Sequence, residues 1–435
     1  MRPTEELYGL SFPHIIDLDQ VRKRHHPLYD RQERVQMDGN TASATAALQF
    51  WRAVLYAGFP ITPSTKWLET VASLVNAGKF VVEENGRKVS TKRVKLLEAE
   101  HAVADYLVGA AAACRELIFM TATSSVGLDH MTETTKSLGA SGLGNVMLVN
   151  VYRATANFPI CIEGDPSDAL SHRDDGWIQV VCRGKQQIYD TMIQLPVVGM
   201  DPEVMIPTMP GFYGLKDSHR SEPFWVEPDR KIHEFQDGFL PKQCPLPGLI
   251  GGETAMGNIV TSAHFQGFKW EQKKRMDQVL ARFLKVGKKF EQEFSRPGLV
   301  PFESYFMEDG PSRVIVAMGP DAGTAYEVIQ KKRKGGEKLG LVVIRLLTPF
   351  PSALLRELLQ GSAEVGVVNN AFHSERGHLT TLVSEALNSL PIKTTGFFAG
   401  LGGADISVGS WEKMIELLPK MKVGESCFVH QGEAL

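Results

Sequence analysis

The chain has 435 residues, of which 43% are hydrophobic and 22% are charged, and its formal net charge is −3. This length predicts two or three domains of ordinary globular composition, and the charge argues against a nucleic-acid-binding or membrane-surface protein. The five cysteines include no C-x-x-C pair, which argues against a zinc or iron–sulfur site held by this chain. Because the sequence shows neither a secretory signal nor a membrane span, we expect a cytoplasmic protein.

The first half of the chain is predicted to form an extension followed by an α/β unit. Residues 1–36 are charged and lack apolar periodicity, which predicts an N-terminal extension that runs over a surface or onto a partner subunit. Within residues 37–230, "TASATAALQFWRAVLYAGF" predicts a helix followed by a strand, and "WLETVASLVNAG" predicts an amphipathic helix that stops at Gly78. "ELIFMTATSS" and "GNVMLVNVYRA" predict buried strands. Such alternation indicates a parallel sheet, whose ligands bind at the carboxyl ends of the strands.

The remainder of the chain predicts a linker and a second α/β unit. Residues 231–300 are predicted to form a linker and a long amphipathic helix, "FKWEQKKRMDQVLARFLKVGKKFEQEF", that packs on a domain surface. Residues 301–435 are predicted to form the second unit. Its strands are "SRVIVAMG", "KLGLVVIRLLTPFP" and "AEVGVVNNA", and "DAGTAYEVIQKKRKGG" and "SALLRELLQG" are the helices between them.

Two glutamates lie two residues apart in the otherwise apolar segment "LLEAEHAVADYLVGAAAAC". If "RVKLLEAEHAVADYLVGAAAAC" is one helix, Glu100 shares a face with Val103 and Leu107, whereas Glu98 shares a mixed, polar face with His101. A carboxylate that faces a core must be paired, protonated or functional. From the residues alone, Glu100 is either a functional group or a charge at the margin of the apolar stripe, satisfied by an arginine or a backbone amide.

Several segments, in this order, resemble one enzyme family. "AGFPITPSTKWLETVASLVNAG", "EAEHAVADYLVGAAAA", "FMTATSSVGLDHMTE", "VNVYRA" and "SDALSHRDDGWIQ" resemble the α subunit of thiamine diphosphate-dependent 2-oxoacid:ferredoxin (acceptor) oxidoreductases, the family of pyruvate:ferredoxin oxidoreductase. "VIVAMGPDAGTAYEVIQ" and "LGLVVIRLLTPFP" resemble the family's transketolase C-terminal-like domain. The resemblance implies an α/β fold in which a pyrimidine-type thiamine-diphosphate-binding parallel-sheet domain precedes a transketolase C-terminal-like α/β domain.

The resemblance also implies which residues would hold the cofactor. Glu100, the second glutamate of "EAE", falls on the family's catalytic glutamate, which hydrogen-bonds the pyrimidine nitrogen N1′ and favours the imino form of the ring. Ser124 and Ser125, in "TATSSVG", are implied to line the pyrimidine pocket. In "SDALSHRDDGW", Asp168, Arg173 and Asp174 are expected to order a loop over the site or to contact a partner.

A second group of residues is implied to bind the substrate. Thr62, in the loop "FPITP", would offer its hydroxyl to the 2-oxoacid, and Ile61 lies beside it in the same loop. Phe59 stands where the family has a tyrosine, which makes the pocket more apolar at that point. Arg153 matches the family's arginine that clamps the 2-oxoacid carboxylate, a task that suits a planar guanidinium.

Two features of the family are missing from this chain. The sequence contains no G-D-G motif followed by asparagine and no cysteine cluster, so no metal ligand is predicted here. The resemblance implies a β subunit with the diphosphate-binding motif, which would hold Mg²⁺, the diphosphate and a [4Fe–4S] cluster. It also implies gamma and ferredoxin-like subunits that carry further clusters, and no nucleic-acid or membrane partner.

The implied reaction is the coenzyme A-dependent oxidative decarboxylation of a 2-oxoacid to acyl-CoA and CO₂, with electrons passed to ferredoxin or another carrier. Phe59 and Phe158 favour an aromatic substrate such as phenylglyoxylate, with pyruvate as the other candidate. Two alternatives stay open at this point. One is a non-catalytic scaffold subunit of such a complex, and the other is half of another thiamine diphosphate-dependent decarboxylase.

Overall fold

A computed structural model describes residues 18–84, 87–155, 159–240, 249, 256–257, 259–372 and 376–434. The helices are α1 (Leu18–Lys23), α2 (Gly39–Gln49), α3 (Thr65–Asn76), α4 (Glu100–Ala113), α5 (Val126–His130), α6 (Thr132–Ser141), α7 (Ser167–Ser171), α8 (Lys185–Gly199), α9 (Asp229–Asp237), α10 (Ser262–Phe294), α11 (Ala322–Lys334), α12 (Ser352–Leu359), α13 (His378–Leu387) and α14 (Val408–Leu417). The strands are β1 (Glu33–Met37), β2 (Ala53–Gly58), β3 (Val81–Glu84), β4 (Arg87–Ser90), β5 (Arg93–Leu96), β6 (Ile118–Thr123), β7 (Val146–Tyr152), β8 (Ile178–Cys182), β9 (Thr208–Tyr213), β10 (Glu222–Val226), β11 (Phe302–Tyr305), β12 (Arg313–Met318), β13 (Leu339–Ile344), β14 (Leu346–Thr348), β15 (Glu364–Asn369), β16 (Lys393–Phe398), β17 (Ser426–His430) and β18 (Glu433–Ala434).

The first large sheet has the strand order β14-β8-β9-β7-β6-β2-β5. All neighbours from β8 to β5 are parallel, and β14, from the second half of the chain, joins the edge antiparallel to β8. Strands β2, β6 and β7 are buried along their whole length, because helices cover both faces of the sheet. The carboxyl ends of these three adjacent strands therefore lie side by side at one edge.

Two hydrophobic cores flank this sheet. One contains Trp67 of α3 and Phe290 of α10, together with buried side chains of α2 and α8. The other contains Leu107 of α4 and Leu138 of α6. This packing of helices on both faces of a parallel sheet is the α/β arrangement that the alternating pattern predicted.

The predicted helix before Glu100 is wrong. Residues 93–96 form the edge strand β5, and α4 begins only at Glu100. Val94 pairs with Tyr56 of β2 in the parallel ladder, and the Leu97 amide donates to the Gly58 carbonyl, so these backbone groups are engaged in the sheet. The tertiary pairing overrides the weak local helix propensity of this segment.

The second large sheet has the strand order β11-β13-β12-β15-β16-β17-β18. Its strands are parallel from β13 to β17, with antiparallel neighbours at both edges. Helices α11 and α14 contribute to the core on one face, and α12 and α13 contribute to the core on the other. The latter core also contains Tyr152, Val181 and Tyr213 of the first sheet, so the two α/β units share apolar contacts.

The segment before the first α/β unit is attached to that unit. Strand β1 pairs antiparallel with β10. Asp229 Oδ2 lies 3.0 Å from His25 Nε2 and accepts a hydrogen bond from the Leu28 amide, and Asp229 Oδ1 accepts one from the Tyr29 amide. Residues 18–37 therefore run over the surface of the first unit, and the other residues predicted as the extension lie outside the described residues.

Helix α10 is 33 residues long and packs mainly on α8 and the first unit. Its buried side chains, including Val279, Phe283 and Phe290, form the stripe that the amphipathic pattern predicted. Helix α10 thus belongs to the core of the first unit. The predicted domain boundaries at residues 36, 230 and 300 stay predictions. None of the helices in the described ranges combines the length and apolar composition that a bilayer crossing requires.

Arg296, just after α10, joins an ion-pair cluster whose loss should destabilise the first unit. Its Nη2 and Nε atoms lie 2.8 Å and 3.1 Å from the Asp190 carboxylate, and Nη1 contacts Glu227. Because Arg296→Met leaves two buried carboxylates without their guanidinium partner, we expect the free energy of unfolding to fall by about 3 kcal/mol. Urea denaturation measures this change. The control Lys289→Met, which breaks an exposed pair with Glu293, should cost less than about 0.5 kcal/mol, and equal losses would refute the prediction.

Candidate active site

Glu100 lies at the carboxyl edge of the first sheet, as the first residue of α4. The residue is 5% exposed, whereas Glu98 lies before the helix and is exposed. The helix N-terminus favours a carboxylate at this position. No lysine or arginine forms an ion pair with Glu100 among the residues that the structure describes, so the arginine partner considered from the sequence is not seen. The Glu100 carboxyl group does contact a histidine, because His130 Nδ1 lies 3.4 Å from Glu100 Oε2.

Gly127 allows α5 to approach the Glu100 carboxyl group closely. A Cβ atom placed on Gly127 would lie 2.9 Å from Glu100 Oε1 and 3.2 Å from Glu100 Cγ, and it would also collide with Thr123 Oγ1. Glu100 and the end of β6 thus flank the same glycine. Gly127 therefore belongs to the candidate site, and no sequence signal marks it beyond its place in "TATSSVG".

Replacing Gly127 by alanine should displace the Glu100 carboxyl group. The added methyl group overpacks the site, which costs about 1–3 kcal/mol of unfolding free energy. We therefore expect weaker cofactor binding in the assembled complex together with a small fall in Tm. Titration of thiamine diphosphate into the cofactor-stripped complex, compared with the control Gly109→Ala in α4, measures the effect, because a Cβ on Gly109 meets nothing within 4 Å. Equal cofactor affinity in the two variants would contradict the prediction.

Three hydroxyl groups at the end of β6 have no hydrogen-bond partner among the residues that the structure describes. Thr121 Oγ1, Thr123 Oγ1 and Ser124 Oγ are buried and unpaired. A buried hydroxyl without a partner is costly, so such groups indicate a ligand or an ordered water. Because Thr123 and Glu100 face each other across Gly127, Thr123 joins the residues that could hold a polar ring. Sequence reasoning singled out Ser124 and missed Thr123.

Ser125 is engaged differently from its predicted role. Its Oγ donates to the Ala154 carbonyl at 2.9 Å, and its amide donates to Asp168 Oδ2 at 3.0 Å. Its backbone has φ 44° and ψ −119°, a conformation that residues other than glycine rarely adopt. The hydroxyl of Ser125 therefore holds the turn after β6. The neighbouring Ser124 hydroxyl, in contrast, has no partner among the described residues.

The structure brings the predicted substrate residues Thr62 and Arg153 together. Thr62 lies in the loop after β2, Arg153 directly follows β7, and Arg153 Nη1 donates to the Thr62 carbonyl at 3.1 Å. Arg153 Nε is buried without a partner. Beside Thr62, Ile61 and Phe59 are both partly buried. Asn40 holds the Thr62 loop in place, because its side-chain amide donates to the Pro63 carbonyl at 2.9 Å.

Asp168 in α7 ties two of these strand ends together. Its Oδ2 accepts hydrogen bonds from the amides of Ser125 and Arg153, at 3.0 Å and 3.1 Å, and its Oδ1 accepts one from the Ala169 amide. Asp168 is 1% exposed. Burial raises the pKa of this carboxyl group to about 7, and the three amide hydrogen bonds offset the effect of burial only in part.

Comparison with known proteins shows which family the chain belongs to. The family described as "Pyruvate flavodoxin/ferredoxin oxidoreductase, thiamine diP-bdg" matches residues 46–289. The chain belongs to this family. Residues 312–410 match a second family, "Pyruvate:ferredoxin oxidoreductase core domain II". Both matches agree with the predicted relationship to 2-oxoacid:ferredoxin oxidoreductases and with the predicted order of the two domains.

Curated relatives in the family match along nearly their whole length. The chain is 34% identical to pyruvate synthase subunit PorA of Thermotoga maritima, over 88% of this chain and 94% of that protein. It is 31% identical to ketoisovalerate oxidoreductase subunit VorA of Pyrococcus horikoshii, over 88% of this chain and 93% of that protein. The predictions of an enzyme subunit and of the α subunit in this family are therefore confirmed.

Two solved structures share the fold. A 2-oxoglutarate:ferredoxin oxidoreductase from Magnetococcus marinus superposes with a TM-score of 0.64 at 17% identity, covering 88% of this chain and 65% of that chain. A split-gene transketolase superposes with a TM-score of 0.51 at 14% identity, covering 89% of this chain and 99% of that chain. These neighbours confirm the predicted fold class, including its likeness to transketolase.

Proposed function

We propose that this chain supplies the pyrimidine-binding half of an active site that oxidatively decarboxylates a 2-oxoacid to acyl-CoA and CO₂. Electrons would pass to ferredoxin or another carrier through partner subunits. The observation that carries the proposal is Glu100, a buried carboxyl group that has no lysine or arginine partner in the described part of the chain and lies across Gly127 from Thr123. A buried carboxyl group of this kind is a candidate for proton transfer.

The residues at this edge fit the polar side of an aminopyrimidine ring. Glu100 would hold a proton opposite a ring nitrogen, and the unpaired hydroxyls of Thr123 and Ser124 would satisfy neighbouring polar atoms of the ring. Gly127 leaves room for the carboxyl group. When bound, thiamine diphosphate supplies a carbon nucleophile for the keto group and stabilises the negative charge left by decarboxylation.

Arg153 and Thr62 would bind the carboxylate end of the substrate. The hydrogen bond from Arg153 Nη1 to the Thr62 carbonyl fixes the guanidinium, while Arg153 Nε has no partner. A planar guanidinium pairs with a carboxylate through two parallel hydrogen bonds, which supports this assignment. The Thr62 side chain is exposed beside it, so its hydroxyl can reach a bound oxoacid.

We infer an apolar side chain for the 2-oxoacid. Phe59 and Ile61 flank Thr62 and are partly buried, and Ile160 and Ile162, a few residues after Arg153, are 59% and 47% exposed. Apolar side chains in the loop that carries Thr62 and in the segment that follows Arg153 favour a hydrophobic or aromatic substrate. Phe158, which also favoured an aromatic substrate, lies outside the described residues.

Partner subunits would complete the site. His130, which contacts Glu100, is 66% exposed at its side chain, so this edge is open in the isolated chain. The chain lacks the G-D-G motif and a cysteine cluster, which supports a β subunit that holds Mg²⁺, the diphosphate and a [4Fe–4S] cluster. Gamma and ferredoxin-like subunits would carry the electrons further.

Reconstitution tests this proposal. The chain is co-expressed with its candidate β, gamma and ferredoxin-like subunits, and the reduction of a viologen dye is followed with a panel of 2-oxoacids. We expect dye reduction that requires thiamine diphosphate, coenzyme A and a 2-oxoacid, with the best kcat/KM for an apolar or aromatic one. A complex that binds thiamine diphosphate but reduces no dye with any 2-oxoacid would contradict the proposed reaction. Equal kcat/KM for pyruvate and phenylglyoxylate would contradict the inferred apolar preference alone.

A further inference from the structure

We propose that Asp168 is a positioning residue that sets the cofactor side and the substrate side of the site together. This inference rests on the proposed function. The Asp168 carboxyl group, in α7, would hold two backbone segments in place. Each segment follows one of two neighbouring strands. One segment is the turn after β6, which leads into Gly127 and His130 beside Glu100. The other begins with Arg153 after β7.

The geometry of Asp168 supports this role. A single oxygen, Oδ2, accepts the amide hydrogens of Ser125 at 3.0 Å and of Arg153 at 3.1 Å. The other oxygen, Oδ1, accepts the Ala169 amide at 2.6 Å. The residue is 1% exposed, and it forms no ion pair with any residue that the structure describes. Within the described part of the chain, its hydrogen bonds go to backbone amides, and two of these amides belong to the predicted site.

The turn after β6 needs such a partner. Ser125 has φ 44°, in the left-handed region that residues other than glycine disfavour, so the surrounding structure must hold it there. Directly after it, the amides of Gly127 and Leu128 donate to the carbonyls of Ser124 and Ser125 and begin α5. If Ser125 relaxed, Gly127 and His130 would move relative to Glu100.

The same carboxyl oxygen fixes the start of the loop that carries Arg153. The Arg153 amide donates to Asp168, while the Arg153 guanidinium donates to the Thr62 carbonyl in the loop after β2. Backbone and side chain of Arg153 are thus held independently. Loss of the backbone bond would let the guanidinium shift away from the position in which it meets a substrate carboxylate.

Asp168→Asn in the assembled complex tests the inference. Asparagine keeps the shape, but it offers one neutral acceptor oxygen in place of two carboxylate oxygens. In one orientation its NH₂ group faces the amides of Ser125 and Arg153, and in the other its weaker amide oxygen accepts them, so both bonds weaken in either case. We expect the KM for the 2-oxoacid to rise about tenfold and the affinity for thiamine diphosphate to fall about tenfold, with Tm nearly unchanged. Asp277→Asn, on a 52% exposed side chain of α10, is the matched control. A purely structural role would lower Tm and the amount of active enzyme without changing KM, and that result would overturn the inference.

Hydrogen exchange at these backbone amides tests the inference without depending on the enzymatic reaction or on the folding of the variant. In the full-length native chain, the amides of Ser125 and Arg153 should exchange slowly, and in Asp168→Asn both should exchange faster together. Fast exchange of either amide in the native chain would overturn the inference even if Asp168→Asn did not fold. If the native complex proved inactive with every 2-oxoacid, the proposed function would fail while the exchange result still reported on Asp168.

Discussion

Replacing Glu100 by glutamine is expected to lower the 2-oxoacid-dependent turnover of the assembled complex by about 10²–10⁴-fold. Glutamine has nearly the same shape but cannot hold or release a proton at the position of the carboxyl group. The protein should still fold, because Glu100 is the first residue of α4 and forms no ion pair with a lysine or arginine in the described ranges. Steady-state dye reduction at saturating substrate and cofactor measures the change.

Glu98→Gln is the matched control for this experiment. Glu98 lies two residues earlier, before the helix, and is exposed, so its replacement should leave turnover within about twofold of the native value. A Glu100→Gln complex with full activity would end the assignment of Glu100. If both variants lost activity equally, a nonspecific effect of charge removal would explain the result better than proton transfer.

Replacing Arg153 by glutamine is expected to raise the KM for the 2-oxoacid about 100-fold, because the substrate carboxylate loses its charged partner. Glutamine cannot reproduce the bidentate pairing of a guanidinium, and the hydrogen bond to the Thr62 carbonyl is lost as well. Arg153→Lys should recover only part of the affinity, since lysine keeps the charge but not the planar geometry. Kinetics with varied 2-oxoacid concentration separate KM from kcat.

Arg220→Gln provides the control for the arginine experiment. Arg220 is exposed and has no assigned role in the site, so its replacement should leave KM unchanged. If Arg153→Gln lowered kcat and left KM at the native value, Arg153 would not bind the substrate carboxylate in the ground state. The proposed clamp would then be wrong.

Much of the fold could be predicted from local patterns. The strands β6 and β7 are continuous apolar runs, and α3 has an apolar stripe with a glycine stop at Gly78, whose φ is 77°. Strand β5 could not be predicted, because its four residues have no strand periodicity of their own. They form a strand because they pair with β2. Strand β14 crosses from the second unit to the edge of the first sheet, a long-range contact that no local pattern encodes.

Part of the candidate site could also be predicted from the sequence, and part could not. The burial of Glu100 followed from its place on an apolar face, and the pairing of Arg153 with the Thr62 loop agrees with the resemblance to the family. Asp168 was expected to order a loop over the site or to contact a partner. Its bond to Ser125 spans 43 positions of the sequence, so the joining of two strand ends through it becomes visible only in three dimensions.

A structure of the reconstituted complex with bound thiamine diphosphate would decide whether Glu100 acts on the cofactor. We expect a Glu100 carboxyl oxygen within hydrogen-bond distance, about 2.6–3.2 Å, of the pyrimidine nitrogen N1′. A Glu100 carboxyl group that instead faces solvent, with the pyrimidine ring bound elsewhere, would show that this chain does not activate the cofactor in the way proposed.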